Sequence, residues 1–142
     1  MTKKGNIFIT VKVVINEPVE KVWACWTEPD NIVKWNFASE DWHCPRAEND
    51  LRTGGLYSWR MEAKDGSMGF DFLGRYTFVD PMKELKSELG DGRKVDVKFK
   101  SDGNRTTLEE TFEAETENTA ELQKAGWQAI LNNFKKHTES VK

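Results

Sequence analysis

Apolar residues recur along this chain with two periods, and the switches between them mark out its elements. Ile7, Ile9, Val11, Val13 and Ile15 alternate with Phe8, Thr10, Lys12 and Val14, which predicts a first strand with one strongly apolar face. The period then lengthens. Pro18 suits a helix start, and Val19, Val22, Trp23 and Trp26 repeat at helical spacing with Cys25 beside the stripe. Thr27, Glu28, Pro29 and Asp30 read as a second start, with Thr27 as cap and Pro29 in the first turn, for a short helix to about Trp35. Residues 36–53 show no sustained period. Phe37, Trp42 and Leu51 within them predict a packed loop with one short strand near 46–49, and a loop this long is a candidate lid.

From Gly54 the period of two returns as a meander. Tyr57, Trp59, Met61 and Ala63 form one inward set, and Phe70, Phe72, Gly74, Tyr76 and Phe78 the next. Leu85, Ser87 and Leu89 follow, and Asp91-Gly92 reads as a two-residue hairpin turn. Val95, Val97 and Phe99 continue the series, and Leu108, Glu110 and Phe112 close it. In the last stretch, 118–141, Trp127, Ile130, Leu131 and Phe134 fall at i, i+3, i+4 and i+7, with Leu122 and Gly126 extending the stripe. Asn118 is placed to cap that helix, with Glu121 returning the bond three residues on.

The order is strand, two short helices, five or six further antiparallel strands, and a long helix. Each strand has one apolar and one charged face, as in a sheet solvated on its outer side. A twisted sheet of six or seven strands curls, and the final helix is the only element large enough to fill its hollow. The expected class is therefore α+β with a helix-grip architecture.

Composition narrows the function classes. The chain has 142 residues, enough for a single domain spanning 1–142, and six tryptophans with eight phenylalanines make its interior rich in rings. The net charge of −3 and the lack of a basic block argue against nucleic acid or an anionic membrane as partner. No apolar run approaches the ~20 residues that span a bilayer. The first residues, MTKKGNIFIT, lack the apolar core of a signal peptide. With only Cys25 and Cys44, a disulfide framework is not expected and a reducing cytoplasm is.

Several local runs carry a resemblance. They are Val22-Trp23, Trp26-Thr27-Glu28-Pro29, Trp35-Asn36-Phe37-Ala38-Ser39, Asp41-Trp42-His43-Cys44-Pro45, Asn49-Asp50-Leu51-Arg52 and Gly54-Gly55. Arg60-Met61-Glu62-Ala63-Lys64-Asp65-Gly66, Gly69-Phe70-Asp71-Phe72 and Gly126-Trp127-Gln128-Ala129-Ile130-Leu131 complete them. In these runs the chain resembles the START-like (SRPBCC, Bet v-like) superfamily. Within it, the chain is similar to bacterial proteins related to the C-terminal domain of the heat-shock protein 90 ATPase activator, the activator of heat-shock protein ATPase homologue-like family. The resemblance implies the same helix-grip fold and a hollow that in many relatives takes an apolar ligand. It implies no single reaction, because the superfamily spans lipid carriers, receptors, cyclases and co-chaperone domains. The activator proper has a further N-terminal domain that docks on the chaperone, which this chain is expected to lack. Ser87 stands where a larger ring is usual, which implies a wider hollow.

Candidate chemistry is sparse. Strict alternation turns Glu110 inward with Leu108 and Phe112, where an unpaired carboxylate is costly; a bulge would instead turn it outward. His43 and Cys44 adjoin, yet sequence neighbours rarely form a nucleophile–base pair, and no second Cys/His pair exists to complete a metal site. A loop staple is the plainer reading, and Cys25 reads as a small core residue. Gly54-Gly55 opens a strand, so it lacks the helix terminus of a phosphate site. Arg60, Glu62, Asp71 and Arg75 read as outer-face ion pairs. Gly126 either leaves room for a ligand or admits close helix–strand contact.

The leading expectation is non-enzymatic binding of a small apolar or aromatic molecule, lipid-like or polyketide-like, between sheet and final helix. The lining would come from Trp59, Met61, Phe72, Tyr76, Ser87, Glu110, Trp127 and Ile130, with no cofactor, no metal and no catalytic set. A chaperone-interaction module is the alternative. A cyclase- or hydrolase-type enzyme using Glu110, Tyr76 or His43 is the third reading.

Overall fold

Alternating strands separated by turn residues pair in sequence order, and here they do so around a hollow. The computed structural model describes residues 7–141. Residues 1–6 and 142 lie outside the described residues, and with them the reading of the first residues as leaderless and the outer limits of the 1–142 domain. The elements run β1 (Phe8–Ile15), α1 (Val19–Thr27), α2 (Pro29–Trp35), β2 (Trp42–Asn49), β3 (Leu56–Ala63), β4 (Gly69–Asp80), β5 (Glu84–Leu89), β6 (Lys94–Asp102), β7 (Arg105–Glu113) and α3 (Ala120–Ser140). All seven strands form one antiparallel sheet in the order β1-β7-β6-β5-β4-β3-β2. Its curled inner face holds α3, with α1 and α2 closing one end. This is the expected helix-grip α+β fold.

The core is the inner face of the sheet against these helices. Ile9, Val11, Ile15, Leu85, Leu89, Val95, Val97, Phe99, Leu108 and Phe112 are buried from the strands. Rings from the helices meet them. Trp26 stacks on Trp35 with centroids 4.8 Å apart, and both meet Phe134 edge-on at 4.9 Å. Trp35 also donates its indole N–H to the Cys25 carbonyl at 2.9 Å, which ties α2 to α1.

The helix also guards an edge. β1 has a free side, and unpaired strand edges invite association. Gln128 donates Nε2 to the Lys12 carbonyl at 3.1 Å, Lys135 donates Nζ to the Val14 carbonyl at 2.7 Å, and Glu139 accepts from the Asn16 amide at 2.8 Å. Side chains of α3 thus occupy backbone groups that a further strand would otherwise take.

Five local expectations change. The loop expected over 36–53 holds an eight-residue strand, β2, paired with β3 along its length. A bulge between His43 and Arg46 spans Pro45, which donates no hydrogen bond, and this hides the alternation. Residues 36–41 and 50–53 of the proposed lid stay irregular, on either side of that strand. Phe78 faces outward at 43% exposed because a register shift between Tyr76 and Phe78 reverses the phase of β4. The Asp91-Gly92 turn is a three-residue loop: Gly92 accepts a positive φ of 92° and donates to Leu89, while the Leu89 amide reaches Arg93.

Helix starts also move. Glu28, not Thr27, caps α2, and the Thr27 hydroxyl donates to the Trp23 carbonyl inside α1 instead. Thr119, not Asn118, caps α3 and accepts from the Leu122 amide at 3.1 Å. Asn118 is engaged by the Glu115 carboxylate. This one-residue change leaves Leu122 60% exposed and buries Gln123, whose side chain bonds the backbone of Glu115 and Asn118.

Candidate functional site

A curled sheet with a bulky helix across it closes completely only if side chains fill the whole space between. Here they do not. A cavity of about 260 Å³ remains between the inner faces of β3 to β7 and the middle of α3. All eight residues expected from the sequence line it: Trp59, Met61, Phe72, Tyr76, Ser87, Glu110, Trp127 and Ile130. Trp26, Trp35, Asn36, Tyr57, Leu85, Val95 and Val97 line it as well. Ala38 and Phe70, both exposed, mark the mouth, so the inward set on β4 begins at a rim.

The walls are built from ring stacks. Trp59 and Phe72 lie nearly parallel, 5.8 Å apart, on neighbouring strands. Trp127 stacks on Phe112 at 3.9 Å and an interplanar angle of 8°, fixing α3 to β7. Phe72 then meets Trp127 edge-on at 6.0 Å, bridging sheet and helix.

Tyr57 shapes the floor, and sequence reading placed it inward without assigning it to the site. Gly74 on β4 has no side chain, so the Tyr57 ring lies across it; a Cβ there would come within 2.1 Å of the ring. The Tyr57 hydroxyl thereby reaches Ser87 on β5 at 3.0 Å. The small residue at 87 therefore does not widen the hollow. It admits a ring from two strands away, and the pair Gly74 and Ser87 was the signal available in the sequence.

Glu110 faces inward. β7 pairs without a break on both sides, Glu110 opposite Val11 and opposite Val97, so the outward bulge is excluded. The residue is 7% exposed, and its carboxyl makes no hydrogen bond among the described residues. Burial pushes its pKa up to about 8, so the group is mostly protonated at neutral pH. Burial likewise raises Tyr57 to about 12, against a smaller lowering by Ser87. Tyr76 is raised by burial too, and its hydroxyl donates to Asn49 Oδ1 at 2.5 Å.

The other candidates lie elsewhere. His43 faces Glu62 at 3.8 Å, and Cys44 is buried with its thiol against the Arg46 carbonyl at 3.5 Å. Burial raises that thiol above its ordinary value, opposite to the activation a nucleophile needs. Cys25 is a buried core residue. Arg60 pairs with Glu62 at 2.7 Å and Asp71 at 3.6 Å on the outer face.

Gly126 lines the cavity, and a Cβ built on it meets nothing within 4 Å. The alternative of close helix–strand contact is thereby removed. Because glycine inside a helix costs about 1 kcal/mol relative to alanine, Gly126→Ala is expected to raise the melting temperature by about 3 °C. Calorimetry checks this, and a fall in melting temperature would show a contact that the open space denies.

The comparisons with known proteins agree with this architecture. An AHSA1-like protein from Aeromonas hydrophila is 46% identical, with 94% of this chain and 93% of that one covered and a TM-score of 0.89. A protein from Cytophaga hutchinsonii is 50% identical over 92% of this chain and 91% of its own, with a TM-score of 0.80. A protein from Nitrosomonas europaea, 19% identical over 96% of each chain with a TM-score of 0.82, shares the fold. No curated protein matches. The pattern of the family described as activator of Hsp90 ATPase homolog 1-like protein matches residues 16–139, so with the helix-grip fold in place this chain belongs to that family.

Proposed function

We propose that the protein binds a small apolar or aromatic molecule in the cavity between sheet and α3, and that binding without turnover is its activity. The observation that supports this reading is the cavity itself. It is about 260 Å³ in volume, walled by Trp59, Phe72 and Trp127, and open past Phe70. An apolar cavity of ~150 Å³ already admits benzene, so a two-ring compound is within its capacity. Ligand sites are typically apolar hollows with a few placed polar groups, and Tyr57, Ser87 and Glu110 are such groups.

A native mass spectrum of freshly purified protein tests the reading, together with titration of an apolar fluorescent dye. The expected result is a co-purified mass adduct lost on denaturation and saturable dye uptake at one site. Uptake should weaken in Gly126→Ala, where the new methyl enters the cavity. Bare protein with no saturable uptake would overturn the proposal. The family's description carries a second reading, and stimulation of Hsp90 ATPase turnover by the purified chain would favour it.

A further inference from the structure

A cavity's polar groups define its ligand by what they still have to give. Tyr76 donates its only hydroxyl proton to Asn49. Tyr57 and Ser87 share one bond at 3.0 Å; whichever of them donates, the other keeps a free O–H. Glu110 has no partner among the described residues, and held at a pKa of about 8 by burial it carries a proton at neutral pH. Asn36 Nδ2 and Trp59 Nε1, both on lining residues, are further buried donors without a partner among the described residues, and no Lys, Arg or His lines the cavity.

Each class of ligand meets this inventory differently. An anion would enter an apolar hollow with no cation to pair with, at the full penalty of a buried charge. An ammonium would need Glu110 to ionise, and two desolvated charges then roughly break even against their attraction. It would also bring no acceptor for the free hydroxyl proton. A plain hydrocarbon would fill the space and leave the O–H and N–H donors unanswered. A neutral acceptor oxygen satisfies them without creating charge, the same use to which a buried protonated carboxyl is put when it donates to a carbonyl in a steroid-isomerising active site.

We infer that the cavity selects uncharged ring compounds bearing an acceptor oxygen, such as a ketone, held with that oxygen toward Glu110 and the Tyr57–Ser87 pair. The inference rests on the ligand-binding reading above. It adds a chemical class to that reading, along with a discrimination against carboxylates that a purely apolar hollow would not enforce so strongly.

Four probes with one ring system test it by isothermal titration: acetylnaphthalene, ethylnaphthalene, naphthoate and aminomethylnaphthalene. Near neutral pH the ketone should bind about tenfold or more tighter than the hydrocarbon, the ratio one well-placed hydrogen bond supplies. Naphthoate should bind weakest. Between about pH 6.5 and about pH 9.5 the ketone should lose about tenfold in affinity as Glu110 ionises. In Glu110→Gln, which keeps a donor and loses the titration, that pH dependence should vanish while ketone binding persists. Tightest binding by the amine, or equal binding by naphthoate, would overturn the inference. Equal affinity for ketone and hydrocarbon would remove the carbonyl selection while leaving ligand binding intact. Failure of all four to bind would remove the binding function itself, and this inference with it.

Discussion

Glu110→Gln is expected to stabilise the protein strongly at alkaline pH and hardly at all in acid. In the unfolded chain Glu110 titrates near its ordinary 4.5, whereas burial holds it at about 8 in the fold. A raised folded value means that the native state keeps a proton the unfolded state has released. Stability from this group is therefore fully present below about pH 4.5, falls as pH rises toward 8, and is lost above it. At ~1.4 kcal/mol for each tenfold step, the interval between the two values sets a limit of about 5 kcal/mol. Solvent entering the cavity lowers this, and a gain of about 3 kcal/mol at alkaline pH is expected for the glutamine variant. That corresponds to a rise in melting temperature of about 10 °C. The measurement is the difference between variant and wild-type melting temperatures across pH, which cancels every other titrating group. Parallel curves would mean that the carboxyl is solvated or paired.

Phe134→Ala is expected to have the opposite sign and comparable size. Phe134 is fully buried and meets Trp26 and Trp35 edge-on, both at 4.9 Å. Truncating a buried phenylalanine typically costs about 3–5 kcal/mol, since the lost transfer energy is joined by a cavity that relaxes only in part. Each ring pair adds about 0.5–1.5 kcal/mol beyond burial. Against a domain stability of ~5–15 kcal/mol, the variant should melt more than 10 °C lower. Leu122→Ala is the control. That side chain is 60% exposed, so its loss should stay within about 0.5 kcal/mol. Equal effects at the two positions, read from denaturant or thermal unfolding, would mean that α3 turns a different face to the core.

That contrast shows where periodicity is informative and where it runs out. In the middle of α3, Trp127, Ile130, Leu131 and Phe134 sit at fixed helical spacing, and burial follows the spacing. At its start the pattern pointed to Leu122, but capping by Thr119 and the bonds of Gln123 to the 115–118 backbone turn the first turn otherwise. Helix ends are settled by a few hydrogen bonds, which a count of apolar residues does not register. The same holds for β2. Its strand character lies in backbone pairing with β3 across a bulge at Pro45, and a bulge breaks the two-residue period that makes a strand legible.

Alternation alone is enough to specify the element order, the helix-grip class, and the inward face of β3, β5, β6 and β7. The inward turn of Glu110 does not belong here: alternation leaves a bulge open, and the unbroken pairing of β7 with β1 and β6 excludes it. Tertiary structure decided everything that depends on how far a side chain reaches from its strand. Tyr57 crosses the glycine at 74 to meet Ser87, so the floor of the cavity is set by residues that are remote in sequence. Whether Gly126 means close packing or open space was likewise undecidable from the chain. Only the curl of the sheet, summed over seven twisted strands, sets the distance between helix and wall, and at Gly126 it leaves room.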